Sequence, residues 1–181
     1  MDKHPDIKEI LLTRETLQKK IDELAQRISE DYRDGDLVLV SILKGGLILL
    51  ADLSRALSID HAFDMVGAMS YGSSMSSSGN VIITKDIDIE VGGKDVLLIE
   101  DIYDTGRTLN AVKDLIALHS PRSIEVCVLI NKEKPNRPMG VPLKYVGFTI
   151  PDVFVVGYGL DYAEKYRNLD FVGILKESVY S

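Results

Sequence analysis

Between residues 14 and 33 the apolar positions Leu17, Ile21, Leu24 and Ile28 recur at steps of three and four, with acids and bases in the intervals. That spacing predicts an amphipathic helix with one buried stripe, and Thr13 is placed to cap its first turn. The texture then changes to DLVLVSI (36–42), a short β-branched run of the kind that forms a buried strand. It ends in Leu43-Lys44-Gly45-Gly46 and passes into a second helical run, LILLADLSRAL (47–57). Further strands are predicted at AFDMVGAMS (62–70), VIIT (81–84), DVLLIE (95–100), SIEVCVLI (123–130) and VFVVG (153–157), with a helix from about Gly106 to Leu118. Between Ser70 and Gly79, six serines and two glycines leave no apolar period, so this stretch reads as an excursion between two strands. Strands alternating with helices predict an α/β fold with a central, mainly parallel sheet flanked by helices. In such sheets ligands collect at the carboxyl ends of the strands, where every unusual turn of this chain falls.

Composition narrows the picture. At 181 residues, with 45% hydrophobic content, the chain fits one compact domain over residues 1–181 with a real core. A net charge of −7, from 28 acids against 21 bases, argues against a broad nucleic-acid surface. No run approaches the ~18 apolar residues of a membrane span. The opening MDKHPDIKEILLT also lacks the apolar core of a signal peptide. The single cysteine, Cys127, lies in the apolar run IEVCVLI and reads as a buried strand thiol. His4, His61 and His119 are too scattered to suggest a metal site. These features predict a reduced, cytoplasmic protein with no membrane partner.

The chemistry concentrates in VLLIEDIYDTGRTL (96–109). Glu100 and Asp101 follow an apolar strand, where such a pair serves either as surface punctuation or as a reach toward a ligand or a metal-bound water. Thr105, Gly106, Arg107 and Thr108 then lead into a helix whose first N–H groups, with two hydroxyls and a glycine allowing close approach, make a phosphate site. Asp104 sits beside that cradle, where a carboxylate is unfavourable next to phosphate. Its presence suggests another task, such as accepting a proton. Acids for hydroxyls and a cradle for phosphate together point to a sugar phosphate. A kinase or ATPase is disfavoured because no GxxxxGK[ST] loop occurs.

EDIYDTGRTL (100–109) closely resembles the phosphoribosyl diphosphate (PRPP) motif of type I phosphoribosyltransferases, in particular their hypoxanthine-guanine branch. ILKGG (42–46) resembles the family's pyrophosphate loop, SYGSSMSSSG (70–79) its mobile lid, and IPDVFVVGYGLDYAEKYRNL (150–169) its purine and metal segment. The resemblance implies the type I phosphoribosyltransferase fold, with a small hood formed by the terminal segments and a lid over about 70–80. It implies transfer of the phosphoribosyl group from PRPP to a 6-oxopurine, with Mg²⁺ as cofactor, in a homodimer or homotetramer.

It also implies roles. Glu100 and Asp101 hold the ribose hydroxyls, partly through Mg²⁺-bound water, and Asp104, Thr105, Gly106, Arg107 and Thr108 wrap the 5′-phosphate. Asp104 is the general base or acid at purine N7, a role that typically contributes ~10²–10⁴-fold; otherwise it is a helix cap. Lys44 and Gly45 bind pyrophosphate, with a cis peptide at Leu43–Lys44, and Arg167 assists them. Lys132 donates to purine O6, with Lys134 as the competing candidate. Phe154 stacks on the purine while the Val155 backbone meets its N1 and C2 edge. Asp161 binds Mg²⁺, and Ser70 and Tyr71 open the lid, expected to be disordered until substrate binds. Tyr103 departs from the aliphatic residue common at its place in the family. The same fold carries PRPP-sensing regulators that bind nucleic acid; they generally lack an acid at the position of Asp104.

Overall fold

The helix expected from the Leu17 spacing forms as α1 (Arg14–Asp31), capped by Thr13, whose side chain accepts a hydrogen bond from the Thr16 N–H at 3.3 Å. Its stripe of Leu17, Ile21, Leu24, Ala25 and Ile28 is buried. The computed structural model describes residues 4–70, 81–134 and 140–180. Among these, six strands form the main sheet in the order β4 (Val81–Lys85), β3 (His61–Ser70), β2 (Leu37–Leu43), β5 (Asp95–Tyr103), β6 (Ser123–Lys132) and β7 (Tyr145–Ile150). All neighbours pair in parallel except β3 with β4.

Side chains of the central strands alternate between two cores, as the period of two requires. Leu39, Leu97, Ile99, Cys127 and Leu129 join α1 and α2 (Leu47–Ala56) on one face. Val38, Val40, Val96, Leu98, Val126 and Val128 meet α3 (Arg107–Ala117) on the other. Strands buried on both faces read as near-continuous apolar runs, which is why β2, β5 and β6 were legible. Cys127 is fully buried in β6, and burial pushes its thiol up to about 12.

A second sheet pairs β1 (Ile7–Leu12), β9 (Val172–Leu175) and β8 (Val155–Val156) in the order β1-β9-β8, all antiparallel. The strand expected over 153–157 is thus confined to two residues and belongs to this small sheet, not to the central one. Three strands, β1, β7 and β9, and the short α4 (Glu177–Tyr180) carry no clean sequence signal. β1 has register shifts that spoil its alternation. β7 and β9 each contain a glycine, which lowers strand propensity but permits close approach. A Cβ at Gly147 would lie 2.5 Å from the Leu129 carbonyl oxygen.

The parallel strands β2, β3, β5, β6 and β7 end at Leu43, Ser70, Tyr103, Lys132 and Ile150 on one edge of the sheet. β5 runs three residues beyond the expected end at Glu100, and β6 runs two beyond Ile130. Glu100 and Asp101 are therefore strand residues, and the turn begins at Asp104. Among the described residues no helix is long and apolar enough to cross a membrane.

Candidate active site

Asp101 is 6% exposed and packs against the turn after β2. A Cβ built on Gly45 would fall onto the Asp101 carboxylate, so only glycine lets the β2 turn lie this close. The peptide bond between Leu43 and Lys44, at the entry to that turn, is cis. Burial raises the Asp101 carboxyl above its ordinary range, although the Ile102 N–H, bonded to Oδ1 at 2.8 Å, and the Arg167 charge oppose the rise. Glu100 is driven well up, first by burial and then by the Asp101 charge. Its buried Oε2 has no hydrogen-bond partner. Two crowded carboxyls, one with an orphaned oxygen, could hold a hard cation that takes few protein ligands.

Glu100 also lines a cavity of about 310 Å³, together with Tyr103, Asp104, Thr105, Gly106 and Thr108. Gly106 adopts φ +80°, the left-handed conformation that turns the chain from β5 into α3, and offers no side chain to cap the helix, although the Thr105 hydroxyl accepts from the Arg107 N–H at 3.5 Å. The N-terminal end of α3 thus lies at the cavity, with Thr108 and Leu109 in its lining, where the helix dipole favours an anion. Thr105 and Arg107 are exposed there and Thr108 is half-buried.

Asp104 stands at the other side of this turn among charges from β6 and β7. Lys132, the last residue of β6 and 9% exposed, places its Nζ 3.8 Å from Asp104 and 3.2 Å from Asp152. Lys134 is ion-paired with Asp104 and lies 3.4 Å from Asp152. Two ammoniums are thus shared between two carboxylates. The Asp104 hydrogen bond, outweighing burial, raises Lys134 above its usual range. Against the burial that opposes it, the lysines keep Asp152 below its own. Sequence reasoning did not select Asp152, although it lies at the start of the 150–169 segment singled out for the purine and metal. Both candidate O6 donors reach the Asp104 side of the cavity, and Lys132 is the more buried.

On the opposite side, Lys44 pairs with Glu164 at 2.9 Å. Arg167 bonds the Gly159 carbonyl at 2.7 Å, Asp161 at 2.8 Å and approaches Glu164 at 3.6 Å. The structure therefore brings together Lys44 and Arg167, the two cations expected to meet pyrophosphate, through a carboxylate that sequence reasoning did not select. Lys44 in turn holds Glu164 below its usual range. The buried Arg167 Nε has no partner. Gly159, at φ +98°, lets this segment press on the Gly45 carbonyl. Asp161 accepts from the Glu164 N–H at 2.9 Å as well as from Arg167. Among the described residues no three metal-binding side chains gather, so Asp161 does not join Glu100 and Asp101 in one cluster.

Phe154 is 37% exposed and stacks on Tyr180 of α4, with centroids 4.9 Å apart and planes at 24°. Tyr162 meets its edge at 5.7 Å. Val155 is buried in β8 opposite Ile174. β3 reaches Ser70, whereas Tyr71 and the rest of the expected lid lie outside the described residues.

Residues 8–163 match the phosphoribosyl transferase domain family. The chain is 43% identical over 167 residues to a hypoxanthine phosphoribosyltransferase of Escherichia coli (strain K12), covering 91% of this chain and 93% of that protein. It is 46% identical over 181 residues to a hypoxanthine-guanine phosphoribosyltransferase of Mycobacterium avium, covering 97% and 89%. A crystal structure of a hypoxanthine phosphoribosyltransferase from Staphylococcus aureus superposes with a TM-score of 0.92 at 44% identity, covering 98% of this chain and 96% of that one.

Proposed function

The chain belongs to the phosphoribosyl transferase family, and from that premise we propose that it moves the 5-phosphoribosyl group of PRPP to N9 of hypoxanthine or guanine, releasing pyrophosphate, in purine salvage. The observation that carries this reading is the adjacency of two functions on neighbouring strand ends. Glu100, Thr105, Gly106 and Thr108 line one cavity after β5, and Lys132 at the end of β6 faces Asp104 beside it.

The α3 N-terminus with Thr105, Gly106, Arg107 and Thr108 takes the 5′-phosphate, and Glu100 and Asp101 hold the ribose hydroxyls. In the reaction the bond from C1′ to the pyrophosphate oxygen breaks while the N9–C1′ bond forms. The purine gains positive charge as it attacks, and Asp104 accepts the N7 proton that relieves it. Lys132 donates to O6, which selects 6-oxopurines because the adenine 6-amino group cannot accept that bond. Phe154 stacks on the ring while the Val155 backbone meets its N1 and C2 edge. Lys44, Gly45 and Arg167 take up the charge developing on pyrophosphate. The Glu164 carboxylate, which bridges both cations here, is the group the leaving anion replaces.

Glu100 and Asp101 would hold Mg²⁺, with Asp161 a separate ligand outside their cluster, and the ion would take up charge on pyrophosphate and make it a better leaving group. The buried acid pair suits that ion, since Mg²⁺ binds through one or two carboxylates plus substrate phosphates. We place the enzyme in the cytoplasm as a homodimer or homotetramer, with the small sheet as its hood and residues 70–80, Ser70 and Tyr71 among them, as its lid. The relatives do not support the alternative, a PRPP-sensing nucleic-acid regulator.

The test is pyrophosphate release from PRPP and Mg²⁺ with hypoxanthine, guanine, xanthine, adenine and uracil offered separately. Turnover with hypoxanthine or guanine, and none with adenine or uracil, is expected. PRPP binding without turnover on any base refutes the proposal.

A further inference from the structure

Phe154, the ring assigned to stack on the purine, is itself held by rings from elsewhere in the chain. Tyr180 of α4 lies almost parallel to it, with centroids 4.9 Å apart and planes at 24°. Tyr162 stands nearly perpendicular to Phe154, at 5.7 Å and 85°, and its centroid is 6.3 Å from that of Tyr180. A parallel ring covers one face of a phenyl and leaves the other, and Phe154 stays 37% exposed despite both neighbours. α4 reaches this place because β9 carries it there. The Leu175 N–H, at the end of β9, donates to the Phe154 carbonyl at 3.1 Å, and the Lys176 N–H donates to the Asp6 carbonyl at 2.9 Å. Val179 of α4 packs on the core of Ile7, Val156, Phe171 and Leu175. Ile174 of the same strand pairs with Val155, whose backbone is assigned to the purine edge. One strand and the helix after it therefore back both residues assigned to the face and edge of the base.

We propose that Tyr180 is a positioning residue for the purine site, stacking on one face of Phe154 so that the ring offers its other face to the base in a fixed plane. This rests on the assignment of Phe154 to the purine. Without a ring behind it, the phenyl turns broadly about χ2, and the arriving base would bear the cost of ordering it. Tyr180 touches no substrate in this scheme and acts only through Phe154.

The test is Tyr180→Leu in the full chain, alone and combined with Phe154→Leu. The single change is expected to raise the KM for hypoxanthine about three- to tenfold, the span of one aromatic stack. The kcat at saturation and the KM for PRPP should each stay within about twofold, as for binding lost equally from ground and transition states. Tyr180→Phe keeps the ring and should restore the KM for hypoxanthine. In the Phe154→Leu background, Tyr180→Leu should change that KM by less than about twofold, because its route to the base is gone. A full effect in that background, parallel rises in both KM values, or no rise in the single variant each overturns the proposal. A lower KM overturns it too, since Tyr180 would then cover the face the base needs. Tyr180 is 36% exposed, so the leucine variant is expected to fold; should it not, Tyr180→Met carries the same comparison. If the unaltered protein transfers to no purine, or Phe154→Leu leaves the KM for hypoxanthine unchanged, the base-site assignment fails and the role of Tyr180 with it. Turnover with a KM that depends on Phe154, and Tyr180→Leu matching the unaltered protein, refutes the stack alone.

Discussion

Replacing Asp104 by Asn separates its chemical role from its structural one. The carboxylate pairs with Lys134 and lies 3.8 Å from Lys132, whose other partner, Asp152, is nearer at 3.2 Å. At an effective dielectric near 20, a charge pair at that separation has a gross attraction of about 4 kcal/mol. Little of this is net stability. The Asp104 side chain is 39% exposed, and Asp152 remains to hold both ammoniums after the change. The expected loss is about 1 kcal/mol or less, or ~2–4 °C in Tm for a chain of this size. The amide keeps the shape of the carboxylate but cannot accept the N7 proton, so kcat should fall about 10²–10⁴-fold, equivalent to roughly 3–5 kcal/mol of barrier. The assay pairs steady-state pyrophosphate release at saturating PRPP and hypoxanthine with a thermal melt. Turnover within about fivefold of the unaltered enzyme, at an unchanged Tm, would refute the base assignment. A large loss of Tm would show instead that the charge cluster is structural.

Lys132→Met should raise the KM for hypoxanthine at least about tenfold, the scale of a hydrogen bond from a charged donor, whereas Lys134→Met should change it little; the reverse ranking would make Lys134 the O6 donor. Gly45→Ala sets a methyl group onto the Asp101 carboxylate and should cost about 1–3 kcal/mol by overpacking, with the KM for PRPP rising more than that for hypoxanthine. An unchanged Tm and KM would mean that the two turns can separate freely. Glu100 and Asp101 both have raised carboxyls, so their folded forms favour the proton. Their contribution to stability is complete below the ordinary carboxyl range near pH 4 and is lost as pH rises through the raised folded values. Melts in chelator should show that loss diminished in Glu100→Gln. Added Mg²⁺ should stabilise the unaltered protein more at pH 7.5 than at pH 4.5, and equal effects at both would argue against a cation at this pair.

The parts of the fold legible in the sequence are those fixed by short-range patterns. The Leu17 stripe and Thr13 define α1 locally, and the apolar runs of β2, β5 and β6 announce strands covered on both faces. β1, β7 and β9 were not legible, because glycines and register shifts remove the alternation and their stability comes from partners far along the chain. VFVVG illustrates the limit. Its composition says strand, yet only Val155 and Val156 pair, and their partner β9 lies in the small sheet.

For the site the division is similar. By itself the sequence determined the kinds of group available: an acid pair, a glycine-bearing turn into a helix and a carboxylate set apart from them, all within ten residues of one turn, 100–109. Such a motif is contiguous because a strand end and the helix after it are contiguous. Only the tertiary structure decided which distant groups answer them. Lys44 meets Arg167 through Glu164, Lys132 and Lys134 share Asp152 with Asp104, and Tyr103 reaches Val141. These pairings join residues up to 120 positions apart. Parallel strands carry their ends to one edge of the sheet whatever their separation in the chain, and no pattern along the sequence records which ends become neighbours.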